Sequence, residues 1–441
     1  MMTTTEPSVS PDGARPVAPT ERINSIDMLR GIAVVGILVM NIYGFAMPFA
    51  AYMNPLAHGG TEWYNVGTWF FTHILFDQKF LPIFSMLYGA GLVLMIDRAA
   101  ARGAKIGGIW YRRNFWLLVI GALHAYLIWF GDILFFYAFI GMLIYPLRNR
   151  SPRALIIIAC VMFLIGILLS LGGGTQMAKL RTAATEVSEL QAAGETLSEE
   201  QQETLAQWEE MLPFVGPPGP VVEKDLAGYA QGYTDVVAFR APQVAMMHVQ
   251  ALPFFLIWRV GGLMLIGMAL MKLGVFSAVR STAFYKRLML FGYVTGLPLV
   301  LLSAWILQAN DWDPLFTFKV GGLPNYVGSI LMSLGHVSLF LLIIKSGALT
   351  RLLARFAALG RMALTNYLMH SVVMTSIFYG YGLGLYGDVP RLYQMSFVVA
   401  MVAFQLWFSP VWLASFRFGP VEWLWRSLTY WRMQPLRKAA A

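Results

Sequence analysis

The chain has 441 residues, 58% of them hydrophobic and only 12% charged, about half the charged share of a soluble domain. With a mean hydropathy of +0.61, it has more apolar surface than a soluble fold can hide. Composition therefore predicts an all-α, polytopic transmembrane bundle and excludes a secreted disulfide scaffold, a coiled coil and a disordered chain. The net charge of +9 lies at the ends of apolar runs, so it reads as an orientation signal and argues against a nucleic-acid partner. The single Cys160 leaves no disulfide framework or multi-cysteine metal site.

Residues 1–22 are polar and Pro-containing, which predicts a disordered N-terminus. The first apolar run follows basic residues and ends near Ala46, Ala50 and Ala51, as a signal peptide does. It is long enough to cross the bilayer, so an uncleaved first helix is expected. Runs long enough to cross ~30 Å of hydrocarbon recur over 26–48, 66–95, 114–131, 132–147, 154–172, 246–271, 288–308, 325–345, 362–382 and 392–416. The stretch 114–147 reads as two short helices with Gly131 and Asp132 at the turn. Ten alternating spans with a cytoplasmic N-terminus place most of the Lys and Arg residues inside, so the positive-inside rule selects N-in, C-in. The predicted units are a cytoplasmic N-terminus 1–22, an N-terminal membrane half 23–172, an extracytoplasmic insertion 173–245, a C-terminal membrane half 246–416 and a cytoplasmic tail 417–441. The first half of the insertion is rich in Ala, Glu, Gln and Leu and ends at GPPGP, 216–220. That composition fits a solvated helical cap and a mobile insertion equally.

Ionisable side chains inside spans are costly, which makes each a functional candidate. His124 lies roughly 15 Å up span three by the helical rise. Lys79 and Arg259 fall near the middle of spans two and six. Asp77 lies slightly outward of Lys79, Asp132 is at the outer turn, His370 is on span nine beside Asn366 and Ser371, and Arg30 is just above the inner surface. Helices with such groups at similar depth are expected to face one another around a common chamber. Each residue also has a structural reading. Lys79 pairs with Asp77, Arg259 caps backbone carbonyls, His370 packs as a hydrogen-bonding residue, Arg30 anchors a helix start, and His124 is a satisfied buried histidine. No HExxH, P-loop or GxSxG string occurs, so no metal is expected.

Several strings carry a resemblance. RINSIDMLRGIAVVGILVMNI (22–42), MNP (53–55), QKFLPIFSMLYGAG (78–91), GALHAYLIWFGDILFFYA (121–138), LGRMALTNYLMHSVV (359–373), FYGYGLGL (378–385) and GPVEWLWRSLTYW (419–431) resemble, in order, the bacterial YeiB family. The C-terminal half of that family is a domain of unknown function. Through Asp27, Arg30 and Gly31 the N-terminal half resembles more distantly the transmembrane acyltransferases that include heparan-α-glucosaminide N-acetyltransferase. That resemblance implies an inner-membrane protein using cytoplasmic acyl-CoA, an acceptor on the outer side and an intramembrane histidine. The lysosomal enzyme's His–Trp–Asn–Gly run is absent, and VGTWFFTHILFD (66–77) stands there. His73 fits that place, whereas His124 lies within the YeiB-like string and is the preferred base.

The expected chemistry follows. His124 takes the acceptor's proton, since neutral imidazole suits this work, and Lys79 or Arg259 stabilises the oxyanion. Asp77, Asp132, Asn366 and His370 bind acceptor. Arg30, Arg112, Arg113 and Arg361 hold the phosphates of coenzyme A, as guanidinium geometry allows. Eight residues of straight helix place Asp132 to one side of His124, which argues against direct contact. The expected partners are the lipid bilayer and a small acceptor that the sequence does not name; a homo-oligomer stays open. The rival readings are a proton-coupled carrier and a non-catalytic membrane scaffold.

Overall fold

A computed structural model describes residues 24–438; the expectation of a disordered 1–22 lies outside them. The described chain is all α. In chain order the helices are α1 Asn24–Ala46, α2 Phe49–Met53, α3 Trp63–Leu75, α4 Phe80–Ala100, α5 Gly107–Leu127, α6 Leu134–Ile144, α7 Pro152–Ala192, α8 Glu199–Val215, α9 Pro218–Tyr229 and α10 Tyr233–Met246. They continue as α11 Ile257–Lys272, α12 Thr282–Ala309, the single turn α13 Pro314–Phe316, α14 Leu323–Ser346, α15 Thr350–Arg361, α16 Ala363–Phe378, α17 Arg391–Ser415 and α18 Pro420–Tyr430. Two π-helical segments, Met247–Leu256 and Thr317–Gly321, precede α11 and α14.

Among the described residues, 7 helical segments are long and apolar enough to cross a membrane: the protein is a multi-pass membrane protein. They are α1, α3 with α4, α7, α10 through α11, α12, α14 and α17. A helix also occupies each of the other expected runs, as α5, α6 and α16, but these fall outside that class.

The expected second span is not one helix. It breaks between Leu75 and Phe80, at Phe76–Asp77–Gln78–Lys79. No Gly or Pro lies within 76–79, but Pro82 follows in the first turn of α4, where its missing N–H costs nothing, and is the one sequence signal of a helix start here. Gln78 adopts φ 55, the left-handed region that non-glycine residues rarely occupy.

α1 is the buried hub, packed on α15, α16, α4 and α17. Close approach depends on missing side chains. A methyl group on Gly31 would lie 2.0 Å from the Phe356 carbonyl oxygen, and one on Gly360 would lie 1.9 Å from that of Asp27. Small residues at such crossings let helix backbones approach. Arg30 and Arg361, the chain neighbours of these two glycines, both line one cavity.

Segment 173–245 is helical. α7 continues from the apolar run as one 41-residue helix, α8 follows behind a Ser198–Gln201 capping box, and the prolines at 217–218 separate α8 from α9. α10 covers the end of α5. Buried Arg240 donates to the Tyr126 carbonyl at 3.0 and 3.1 Å and to that of Ile128 at 2.5 Å. These are carbonyls that the helix end leaves without partners, and a cation there also complements the helix dipole.

Candidate functional sites

Three polar constellations emerge, and the single chamber expected from depth is not among them.

The first is a histidine chain at the α5–α6 turn. His124 Nδ1 lies 2.7 Å from Asp132 Oδ2, and Nε2 lies 2.8 Å from Ser371 Oγ on α16. His124 and Asp132 are both buried. The expected lack of contact between them is corrected: it assumed one straight helix, whereas α5 stops at Leu127 and the chain reverses before α6. Asp132 Oδ1 also accepts the Phe135 amide at 2.8 Å, the work of a helix N-cap. A carboxylate beside Nδ1 sets the ring's orientation and leaves Nε2 as its acceptor face.

The second constellation surrounds the α3–α4 break. Lys79 is wholly buried; its Nζ donates to the His73 carbonyl at 2.7 Å and to Asn325 Oδ1 at 3.1 Å. A cation therefore satisfies the carbonyl end of α3, the favourable end for positive charge. Asp77 accepts from the Tyr52 hydroxyl at 2.8 Å and from Asn325 Nδ2 at 3.3 Å, and its Oδ2 lies 3.2 Å from His73 Nδ1. Arg259 donates to the Tyr326 carbonyl at 3.0 Å and Ser329 Oγ at 2.8 Å, with its guanidinium 4.2 Å from the centre of the Tyr326 ring. Lys79, Asp77 and Arg259 thus gather with His73 and α14. No hydrogen bond or ion pair among the described residues joins this group to His124. A cavity of about 230 Å³ adjoins the break, lined by Tyr52, Trp69, His73, Asp77, Gln78 and Asn325 among others.

The third constellation was legible only in part. A cavity of about 270 Å³ is lined by Arg30, Arg98, Arg102, Arg113, Arg361 and Arg426, with Asp27 and Glu422 as the carboxylates. Its remaining wall is largely apolar: Val34, Ile37, Phe84, Leu87, Leu117, Ile133, Leu134 and Leu364, with Tyr137 and Tyr367. Arg30 pairs with Asp27 at 2.9 Å, and the Arg113 guanidinium lies 3.6 Å from the centre of the Trp425 ring. Arg361 Nε is buried without a hydrogen-bond partner. Burial pulls the Arg426 guanidinium below its ordinary pKa, and Tyr430 and Glu422 oppose that shift. Six guanidinium groups against two carboxylates give this lining an excess of positive charge. Tyr367, one of the lining residues, has its ring 5.4 Å from the His124 ring.

Of the arginines expected at the phosphates, Arg30, Arg113 and Arg361 line this cavity, but Arg112 does not. It donates to the Thr429 carbonyl and lies 5.1 Å from the centre of the Trp431 ring, because successive helical residues point about 100° apart. Arg98, Arg102 and Arg426 were missed, since a span-end arginine on the sequence looks like any other orientation charge. Asn366 and His370 line neither cavity. Asn366 Nδ2 donates to Ser409 Oγ and the Leu359 carbonyl, both at 3.1 Å. His370 Nε2 meets Gln405 Oε1 at 2.8 Å. These bonds join α16 to α15 and α17, where side-chain hydrogen bonds commonly hold membrane helices together.

Comparison with known proteins decides the family. The chain is 31% identical over 418 residues to the uncharacterized protein YeiB of Escherichia coli (strain K12), covering 93% of this chain and 96% of the relative. The chain belongs to the YeiB family. It is also 30% identical to the uncharacterized protein YxaH of Bacillus subtilis (strain 168), over 96% of this chain and 98% of that one. An uncharacterized 39.9 kDa protein in the amylase 3' region of Bacillus acidopullulyticus is 27% identical, over 96% and 97%. Residues 270–432 match the family described as "Protein of unknown function (DUF418)". This match takes in α12 through α18, including Arg361, Ser371 and Arg426, so two of the cavity arginines lie within it.

Proposed function

We propose that this YeiB-family protein is a transmembrane acyltransferase of the bacterial inner membrane, moving an acyl group from cytoplasmic acyl-CoA to an acceptor on the other face. The supporting observation is the mixed lining of one cavity: six guanidinium groups together with a largely apolar remainder. An acyl-CoA has the same two parts, phosphates that guanidinium groups recognise and a chain that leaves water. All six arginines belong to segments that the positive-inside bias puts in the cytoplasm, under the proposed N-in, C-in arrangement of ten crossings.

In this reading His124 is the base. Asp132 holds its Nδ1, and Nε2, now against Ser371, takes the acceptor's proton after displacement of the Tyr367 wall. As the acceptor oxygen or nitrogen attacks the thioester carbonyl, coenzyme A leaves as the thiol. The purified protein in lipid nanodiscs, melted with and without acetyl-CoA and longer acyl-CoAs, tests the proposal. Saturable stabilisation that falls with added salt is expected; its absence with every thioester removes the reading.

A carrier is the second reading, because the α3–α4 break is the kind of discontinuous helix around which carriers build solute sites. Stabilisation by solutes alone, together with proton-coupled uptake into vesicles, would favour it.

A further inference from the structure

We propose that the cavity at the α3–α4 break is a second ligand site, separate from the arginine cavity, and that it takes a neutral hydroxyl-bearing molecule of the sugar or polyol class. This does not rest on the acyl-transfer reading, because it stands on a different wall of the protein and on different atoms.

His73 is the key residue. Its Nε2 is buried and has no hydrogen-bond partner, a costly state for an interior polar atom. Its Nδ1 lies 3.2 Å from Asp77 Oδ2. With the imidazole neutral, a carboxylate at Nδ1, which only accepts, puts the ring proton on Nδ1 and leaves a bare lone pair on Nε2. The ring is clamped in that pose. Trp69 stacks on it at 4.4 Å and 8°, and the Trp69 indole N–H is itself held by the Tyr52 carbonyl at 2.9 Å. Tyr52 and Asn325 hold Asp77 from two sides. What is missing is one donor for Nε2; the atom has almost no free surface, so an O–H group from the cavity reaches it with a small shift of the lining side chains.

The surroundings select against charge. No Lys or Arg lines the cavity, and Lys79 and Arg259, near the break, are spent on the protein: Lys79 on His73 and Asn325, Arg259 on Tyr326 and Ser329. A phosphate or carboxylate would therefore enter without a counter-charge. Trp69, Tyr52, Tyr326, Phe255 and Phe318 form aromatic walls, the lining of a small-molecule site with few, placed polar groups. The local backbone is built for a site as well. Gln78 lines the cavity from a left-handed conformation, and Phe255 and Phe318 reach it from the two π-helical segments. Strained residues and π-helical turns concentrate at functional positions.

The test uses the full-length protein in nanodiscs with ring-¹⁵N-labelled histidine, titrated with glucose, glycerol and sodium phosphate. The His73 Nε2 resonance, assigned by its loss in His73→Phe, is expected to start as an unbonded acceptor. It should then shift saturably with glucose or glycerol and stay still with phosphate. The same two compounds should raise the wild-type melting temperature and lose that effect in His73→Phe, which keeps a ring against Trp69. Should that variant fail to fold, His73→Asn supplies the assignment and the wild-type titration still decides. A His73 signal that moves with neither neutral compound, or only with phosphate, overturns the proposal.

Discussion

Lys79 and Asn325 lie 246 residues apart in the chain, and the lysine's Nζ meets the asparagine's Oδ1 at 3.1 Å in the membrane-embedded part of the fold. Through this contact α14 closes the gap between α3 and α4. The same ammonium also satisfies the His73 carbonyl, so a single side chain holds both a helix end and a partner helix. Lys79→Met keeps the length and removes the charge. It should lower the melting temperature of the protein in nanodiscs by the equivalent of about 3 kcal/mol, because it leaves the His73 carbonyl and Asn325 Oδ1 buried and unpaired.

Asp132 performs two tasks, holding His124 Nδ1 and capping α6 through the Phe135 amide. Asp132→Ala should cost about 1–3 kcal/mol of thermal stability, the range for an orphaned buried group or a lost cap. Asp132→Asn keeps an oxygen for the cap and should cost less. His124→Ala should abolish acyl transfer in a thioester-release assay while the folded protein still binds acyl-CoA. Undiminished turnover in that variant would remove His124 from the mechanism.

The arginine cavity makes a graded prediction. Arg361→Ala or Arg426→Ala should each weaken acyl-CoA binding about 10-fold or more, as a lost charge-assisted hydrogen bond does. Each should also flatten the salt dependence in a calorimetric titration. Arg112→Ala, whose guanidinium is turned to Thr429 and Trp431, should leave that affinity within about twofold.

The α1–α15 crossing is predicted to be intolerant of a methyl group. In Gly31→Ala the new carbon would lie 2.0 Å from the Phe356 carbonyl oxygen, a backbone atom that cannot swing aside. A loss of about 1–3 kcal/mol or more is expected, read as a lower melting temperature. Acyl-CoA binding should fall with it, since Arg30 and Arg361 flank the crossing.

Stability should also depend on pH through Asp225, on α9. Burial raises its carboxyl from 3.8 to about 6, against the opposing Phe49 amide and Lys224; Asp225 Oδ2 accepts that amide at 3.1 Å. The folded state therefore binds more protons than the unfolded state between these two values. Stability falls as pH rises through the window and is level above it, a change of about 3 kcal/mol. Asp225→Asn should remove that slope and melt higher than the wild type above pH ~6. Equal slopes in the two proteins would assign the effect elsewhere.

Much of the architecture could be read along the chain, because what determines it is local. Apolar length locates helices, and the expected helical pair at 114–147 exists as α5 and α6. The break in the second span had one sequence signal, Pro82 in the first turn of α4, which the apolar run around it masked; a lysine–asparagine contact across the fold bridges the break. His73 was seen as an alternative to His124, but its unpartnered Nε2 has no sequence signature. Arg98, Arg102 and Arg426 looked like ordinary span-end charges until packing turned them toward one cavity.

By itself the sequence determined the all-α membrane character, the positions of the apolar runs and, through ordered strings along the chain, the family. Those properties depend on composition and on residues close in the chain. Which polar groups meet was decided only by tertiary packing. His124 reaches Ser371 across 247 positions, and a depth estimate places both at a level in the membrane but not on a shared face. Depth is one coordinate of three. The other two are set by helix rotation and neighbour choice, which separated His124 from Lys79 and Arg259 and gathered six arginines around one cavity.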